Sequence, residues 1–350
     1  MSLKERLIKN STIEYTSVLS DSKIYGKNDM IPTAVPMINV ALSGRIDGGL
    51  TPGLTVLAAP SKHFKTAFSL LMAAAYLKQH PNGIILFYDS EFGTPQAYFD
   101  SFNVPMESVV HTPITDIEQL KFDVMKQLEE IKRDDEVMII IDSVGNLASK
   151  KEVEDALKQS SAADMTRAKQ LKSLFRMVTP HLTLKNIPMV VVNHIYMTQE
   201  MFSKPVVSGG TGIYYAADNI WIIGRQQDKD DKDLVGYHFI INIEKSRYVK
   251  EKSKIPITVS FDSGINKWSG MLDLALEAKY ITKPKVGWYA KVNQETGEIE
   301  GKSHRADAIV DNNDFWKTIF SETDFATWIQ NKYSLGGGEM IVDENSEQGT

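Results

Sequence analysis

Residues 54–79 read LTVLAAPSKHFKTAFSLLMAAAYLKQ, and this stretch decides the fold. The apolar run Leu54–Ala59 is typical of a buried strand, and a helix is predicted from Lys65 to about Gln79. The turn between them joins the carboxyl end of a strand to the amino end of a helix. Because backbone N–H groups are free at the start of a helix, a turn in this position is suited to binding phosphate.

The turn itself, APSKHFKT at 59–66, contains the residue types that a nucleotide requires. Lys65 can neutralise phosphates and Thr66 can hold Mg²⁺, while the loop backbone curls around them. Ala59 and Phe64 stand where glycine is usual, although glycine permits closer backbone approach. The loop alone is equally consistent with a phosphate cradle and with an ordinary strand–helix turn. The predicted nucleotide-binding loop residues are Pro60, Ser61, Lys62, His63, Phe64, Lys65 and Thr66.

Two more predicted strands end in carboxylates. Val137–Ile141 is followed by Asp142, and Ile84–Tyr88 is followed by acids that include Glu91. Asp142 is suited to holding the water shell of Mg²⁺, and a carboxylate after Tyr88 to orienting the water that attacks a γ-phosphate. Acids often end strands for no catalytic reason, so neither alone is diagnostic. Together with the loop they lie at the carboxyl ends of parallel strands, where open α/β sheets bind ligands, and the sequence therefore predicts ATP and Mg²⁺ as cofactors.

The rest of the chain predicts an α/β fold. Helices are expected at 117–131 and from about Ala163 to Thr179, the second one ending at Pro180, with a strand at Met189–Val192. This alternation predicts a mostly parallel sheet with helices on both faces. Three strands in quick succession then predict an antiparallel extension of the same sheet: Asn219–Ile223, Tyr237–Ile243 and Ile255–Phe261.

Composition divides the chain into four predicted parts. Residues 1–30 are polar and predict an N-terminal arm, 31–270 form the core, and 271–335 a small C-terminal domain. Residues 336–350 are Gly-rich and then acidic, which predicts a flexible tail.

The overall composition excludes several classes of protein. The 350 residues include no cysteine, which excludes disulfides and thiolate metal sites. A net charge of −6 argues against a uniformly basic coat for nucleic acid, although a local basic groove is enough for phosphate contacts. The start of the chain has no apolar signal-peptide region, and the longest apolar runs are of strand length. We therefore expect a soluble, cytoplasmic protein without membrane contact.

Six motifs carry a resemblance to a known family: APSKHFKT at 59–66, FYDSEFG at 87–93, IDSVGNLASKK at 141–151, DMTRAK at 164–169, QEMFSK at 199–204 and EKSR at 244–247. In them the chain resembles the RecA/Rad51 family of recombinases, and within it the bacteriophage UvsX-type branch. The resemblance extends over roughly residues 30–290. It implies a RecA-like P-loop ATPase core, with the N-terminal arm serving subunit contact.

The resemblance also implies roles for single residues. Glu91 would activate the attacking water, Asp142 would support Mg²⁺ and Tyr98 would stack on adenine. His194 falls where the family keeps a polar residue that senses the γ-phosphate and relays to the DNA loop; bacterial recombinases have Gln there. Lys245 and Arg247 would reach the ATP of a neighbouring subunit and stabilise transition-state charge there. Without the family, these two cations would be read as a solvated basic face.

Two segments are candidates for DNA contact. Residues 195–212 show no strand or helix pattern and combine the apolar Met201 and Phe202 with Gly209 and Gly210. Such side chains can wedge between bases, and glycines let backbone N–H groups approach phosphates. The alternative is that the apolar residues pack on the core. The second candidate loop runs from Ser149 to about Ala163, and Arg167 after it is the predicted phosphate contact.

The sequence and the resemblance together predict an ATP-dependent recombinase. It would form a helical filament on single-stranded DNA, pair that strand with homologous duplex, and work with single-strand-binding and mediator proteins in the cytoplasm of a phage host. Two alternatives remain open. One is a hexameric DNA helicase built on the same core, and the other is a mediator paralogue that does not hydrolyse ATP. Intact Lys65, Thr66, Glu91 and Asp142 count against the second alternative.

Overall fold

The computed structural model describes residues 1–22, 24, 30–158 and 166–336. The strands are β1 Gly53–Ala58, β2 Ile84–Asp89, β3 Val109–Pro113, β4 Val137–Asp142, β5 Pro188–Asn193, β6 Ile195–Met197, β7 Pro205–Val207, β8 Asn219–Asp230, β9 Asp233–Ser246, β10 Lys254–Ser260, β11 Gly264–Ile265, β12 Ile281–Lys285, β13 Trp288–Val292 and β14 Ile299–Arg305. The helices are α1 Leu3–Asn10, α2 Pro36–Ser43, α3 Lys65–Gln79, α4 Gln96–Ser101, α5 Ile117–Glu130, α6 Lys150–Leu157, α7 Thr166–Lys185, α8 Thr211–Ala216, α9 Met271–Glu277, α10 Asp307–Val310, α11 Asn313–Glu322 and α12 Phe325–Tyr333. The predicted tail, apart from Gly336, and the end of the second candidate DNA loop lie outside the described residues.

A nine-stranded sheet organises the described core, in the order β11-β10-β9-β8-β1-β5-β4-β2-β3. The strands from β8 to β3 run parallel, and β9, β10 and β11 continue the sheet in antiparallel fashion. The predicted fold class is therefore confirmed. One detail was wrong, because β8 was predicted as antiparallel and instead pairs in parallel with β1; only its pairing with β9 is antiparallel.

Two apolar cores cover the two faces of this sheet. On one face α2 and α3 pack with residues of the C-terminal part, including Trp316 and Phe325. On the other face α5 and α7 pack against alternate residues of β1, β4 and β5. Central strands buried on both faces explain the continuous apolar runs, such as VMIII at 137–141, that the sequence contains.

The C-terminal residues form a small three-stranded sheet, β12-β13-β14, with α9 to α12 around it. The helices α9, α11 and α12 bury apolar side chains in the same cluster as α2 and α3. The end of α12 also contacts the core, because Ser334 pairs with Val249 and donates through Oγ to the Gly44 carbonyl at 3.1 Å. The predicted domain boundaries stay predictions.

Three predictions about local structure were wrong. Pro180 does not end the helix but lies inside α7. Because proline has no N–H, the carbonyl of Arg176 loses its helical donor, but Arg176 is on the exposed side of the helix. Phe175, Val178 and Leu182 continue the buried stripe past the proline. The first part of the segment 149–163 is the helix α6, which Ser149 begins with a capping box. The supposedly structureless segment 195–212 contains the hairpin β6–β7 and the start of α8.

No helix that the structure describes is long and apolar enough to cross a membrane.

Candidate active site

The polar residues predicted from the strand ends lie along one edge of the sheet. Ala58 at the end of β1 is in register with Asn193 of β5, and Asp89 of β2 with Asp142 of β4. The carboxyl ends of these four parallel strands therefore meet, and the residues that follow each strand face one another across the same edge.

The loop after β1 has the shape of a phosphate cradle although it contains no glycine. Phe64 and Lys62 adopt the left-handed conformation, with φ of 62° and 60°, that glycine would supply more easily. Lys65, the first residue of α3, is buried and donates from Nζ to the carbonyls of Ala59 at 3.2 Å and Pro60 at 2.8 Å. Burial lowers the pKa of Lys65, and the charges of nearby carboxylates oppose this shift. The ammonium group is thus held inside the loop, where the phosphates would lie.

Thr66 and Asp142 form the predicted cation-binding pair. The Thr66 hydroxyl donates from Oγ1 to Asp142 Oδ2 at 2.5 Å. The other oxygen of this buried carboxylate, Oδ1, has no hydrogen-bond partner within the described part of the chain. Burial is the main cause that raises the pKa of Asp142 to about 6. A hydroxyl beside an unpaired carboxylate oxygen fits Mg²⁺, which prefers oxygen ligands and keeps much of its water shell.

Glu91 follows β2 and is held by three side chains. Its Oε1 accepts from Ser143 Oγ at 2.7 Å and from Asn146 Nδ2 at 3.1 Å, and it lies 3.3 Å from His194 Nε2. The contact with His194 is the main cause that lowers the pKa of Glu91. The carboxylate is therefore ionised at neutral pH and fixed in place, as a group that orients a water molecule must be.

His194 connects this carboxylate to the hairpin β6–β7. It follows β5, and its carbonyl accepts from the N–H of Ser208 at 2.9 Å, just beyond β7. Asn193 strengthens the connection, because its Nδ2 donates to the Ser208 carbonyl at 2.8 Å. The position of His194 is compatible with the predicted relay, and the role itself stays a prediction.

Tyr98 lies on α4 and is half-buried, with its ring edge against Phe102 at 5.4 Å between centroids. Burial is the main cause that raises the pKa of Tyr98, and the charge of Asp142 adds to the effect. Stacking of this ring on adenine stays a prediction.

Lys245 and Arg247 do not belong to this site within one chain. Arg247 Nε lies 2.5 Å from Asp218 Oδ1, and Asp218 accepts from the N–H of Leu54 at the amino end of β1. Lys245 Nζ donates to the carbonyl of Tyr214 at 2.8 Å, at the end of α8. The phosphate loop follows the opposite end of β1, six residues away, and such a strand spans about 18 Å. Within one chain both cations thus lie far from the phosphate loop, and their role at the nucleotide of a neighbouring subunit stays a prediction.

The hairpin β6–β7 presents apolar side chains to solvent. Met201 is 95% exposed and Phe202 78% exposed, at the tip between the two strands. Tyr196 and Met197 on β6 are also exposed. The alternative that Met201 and Phe202 pack on the core is therefore wrong, and DNA contact stays a prediction for both.

Two of the predicted DNA contacts, Arg167 and Gly209, also have a structural role, and DNA contact stays a prediction for both. Arg167 is half-buried and donates from Nε to the carbonyl of Leu147 at 2.8 Å and from Nη2 to the carbonyls of Val144 and Gly145 at 2.9 Å. The guanidinium thus fixes the loop after β4. Gly209 is buried, with φ of 96°, where a Cβ would lie 2.8 Å from Leu171 Cδ1. Gly210 is exposed, and its contact with DNA also stays a prediction.

The fold and the edge of the sheet together define a P-loop α/β core of the RecA type. The model of the RecA N-terminal domain matches residues 14–266, and that of the C-terminal domain of the bacteriophage T4 recombination and repair protein matches residues 268–329. The chain therefore belongs to the RecA family. It is 52% identical to the recombination and repair protein of Enterobacteria phage T4 over 349 residues, which covers 98% of this chain and 88% of that protein.

The bacterial relatives are more distant. The RecA protein of Leptospira meyeri is 24% identical over 309 residues, covering 83% of this chain and 77% of its own. That of Streptomyces avermitilis is 24% identical over 325 residues, covering 92% and 81%.

Sequence reasoning missed two of the three side chains that hold Glu91. Ser143 and Asn146 belong to the run that follows Asp142, and their positions after a strand at the ligand-binding edge were the available signal.

Proposed function

We infer that the chain is an ATP-dependent recombinase that assembles on single-stranded DNA and exchanges strands with homologous duplex. The observation that carries this proposal is the contact between Glu91 and His194. It connects the carboxylate suited to activating water with a hairpin whose apolar tip is open to solvent. A single network thus joins a nucleotide site to a candidate DNA surface, and the similarity to a phage recombination and repair protein supports the same function.

Each side chain has a defined task in this proposal. Bound Mg²⁺·ATP supplies the transferable phosphoryl group and the cation charge. Lys65 would neutralise phosphate oxygens, while Thr66 and Asp142 would hold the cation and its water shell. Glu91 orients a water molecule and takes its proton at the carboxylate, and its fixed hydrogen bonds keep that carboxylate aimed.

Assembly completes the site. Lys245 and Arg247 lie near the amino end of β1, whereas the phosphate loop of their own chain follows its carboxyl end. They would therefore stabilise transition-state charge in the neighbouring subunit. Head-to-tail contact of this kind generates helical filaments when the rotation does not close into a ring. Hydrolysis is then expected to depend on assembly, and assembly on DNA.

The test is ATP hydrolysis with and without single-stranded DNA, beside a Lys65→Ala control, with electron microscopy of the same samples. Strong stimulation and helical filaments, both lost in the control or without nucleotide, are expected. Closed rings with directional unwinding would instead identify a hexameric helicase. If single-stranded DNA does not stimulate hydrolysis and no filaments form, an autonomous recombinase is refuted.

A further inference from the structure

The phosphate loop contains two residues in a conformation that is unfavourable for any side chain with a Cβ. Lys62 and Phe64 both have φ near 60°. A loop of this kind relaxes unless surrounding contacts hold it. The hairpin formed by β8 and β9 contacts both residues, far from them in sequence.

Phe64 is anchored by aromatic rings. Its ring stacks on Phe239 of β9, with centroids 5.1 Å apart and an angle of 25° between the planes. The ring of Phe68 on α3 packs edge-to-face with the Phe64 ring, with centroids 5.7 Å apart. Phe239 and Phe68 are both fully buried, so they form a rigid seat for the Phe64 side chain.

Arg225 anchors the other residue. It lies on β8, directly opposite Phe239 in the sheet register, and its Nη1 donates to the carbonyl of Lys62 at 2.8 Å. Its guanidinium lies over the ring of Tyr237, with the Cζ 4.6 Å from the ring centroid. Stacking on Tyr237 fixes the direction of the hydrogen bond, so the loop carbonyl is held by a preorganised donor.

We propose that Arg225 and Phe64 are positioning residues that hold the phosphate loop in its binding conformation before a nucleoside triphosphate arrives. The hairpin supplies from outside what glycine supplies within the loop in other P-loop proteins. This inference rests on the proposed function, because it requires that the loop binds nucleotide. In the described part of the chain, neither residue has a hydrogen bond or an ion pair with Glu91 or Asp142. Their loss should therefore weaken nucleotide binding and leave the chemical step intact.

The first experiment compares Arg225→Ala with Lys229→Ala, which removes the same charge from the exposed tip of the same hairpin. A fluorescent, non-hydrolysable ATP analogue with Mg²⁺ is titrated into each full-length chain without DNA. Loss of a hydrogen bond from a charged donor should weaken binding about tenfold in Arg225→Ala. The KM for DNA-stimulated hydrolysis should rise by the same factor with kcat within about twofold, while Lys229→Ala matches the wild type.

The conservative variants separate positioning from general charge. Arg225→Lys keeps the charge but loses the planar group that stacks on Tyr237, so it should recover only part of the affinity. Because Arg225 is exposed, the unfolding midpoint without nucleotide should fall only slightly when its hydrogen bond is lost. Phe64→Gly should bind more weakly, although it restores the usual residue of such loops, because the ring contacts are lost.

Two results would overturn the inference. One is unchanged affinity in Arg225→Ala, and the other is Phe64→Gly binding the analogue as tightly as the wild type. The double variant Phe64→Gly/Arg225→Ala should lose less affinity than the two single losses combined, because both residues hold one loop; full additivity would contradict a shared role. A wild-type chain that binds no analogue would refute the proposed function itself, which distinguishes the two failures.

Discussion

Replacing Asp142 by Asn should remove a charge that the folded chain carries at a cost. The Asp142 carboxyl is buried beside Thr66, and burial is the main cause that raises its pKa from 3.8 to about 6. One pKa unit corresponds to about 1.4 kcal/mol. The ionised carboxylate therefore lowers the free energy of unfolding by about 3 kcal/mol above pH 6 when no cation is bound. Asparagine still accepts the hydrogen bond from Thr66 and carries no charge.

The difference between the folded and unfolded pKa of Asp142 determines how the free energy of unfolding changes with pH. The folded wild type binds a proton with a pKa of about 6 and the unfolded chain with a pKa of 3.8. The contribution of the Asp142 carboxyl to the free energy of unfolding is thus fully present below about pH 4, and it is lost as the pH rises through 6. Asp142→Asn lacks this titration. The free energy of unfolding of the variant, minus that of the wild type, should therefore increase by about 2.5 kcal/mol between pH 4 and pH 7, whatever the cost of the buried amide.

The assay is urea unfolding followed by tryptophan fluorescence, in EDTA and without nucleotide, at several pH values from 4 to 7. Asp47→Asn is the control, because Asp47 is exposed and its hydrogen bond with Arg45 lowers its pKa. It should show no such increase. A difference for Asp142→Asn that stays constant with pH would refute the reasoning. So would equal stabilisation of variant and wild type by added Mg²⁺·ATP, since Asp142 is the proposed cation ligand.

Three further predictions concern hydrolysis and DNA. Glu91→Gln should bind ATP normally and hydrolyse it at least about 100-fold more slowly; unchanged turnover would mean that another group activates water. Arg247→Ala should bind ATP as an isolated chain but lose DNA-stimulated hydrolysis. Mixed in equal amounts with Lys65→Ala, it should recover activity at about a quarter of the interfaces, by random head-to-tail pairing, and no recovery would exclude a site shared between subunits. Replacing Met201 and Phe202 together by Ser should weaken binding of a labelled single strand at least about tenfold, measured by anisotropy, with analogue binding unaltered as the control.

The sheet and its ligand-binding edge could be predicted because they depend on local patterns. Apolar runs such as 137–141 and the acids that follow them directly indicated which strand ends meet. The phosphate loop could not be decided in the same way. Its missing glycines are compensated by Phe239 and Arg225, whose contacts with residues 62–64 span more than 160 positions of the chain. No periodicity in the sequence reports such a contact.

Other errors came from signals that were present but outweighed. The Ser149–Glu152 spacing is that of a capping box and indicated α6, yet the mixed charges of the segment favoured a loop. Pro180 was taken as a helix end, although the apolar spacing continued to Leu182. The strands β6 and β7 have three residues each, too few for an alternating pattern to be recognised.

The hairpin of β8 and β9 takes part in both proposals, and its geometry allows them to be tested apart. Near the middle of β9, Phe239 seats the phosphate loop of its own chain, while Lys245 lies six residues further along the strand, about 20 Å away. A change at Arg225 acts on a loop within the same chain, so it should alter nucleotide affinity even in a chain that has not assembled. A change at Lys245 or Arg247 acts on a neighbour, so it should alter hydrolysis only after assembly. The two classes of variant therefore differ in whether their effect depends on protein concentration and DNA. If Arg225→Ala weakened binding only in the assembled state, its hydrogen bond to Lys62 would not be the cause.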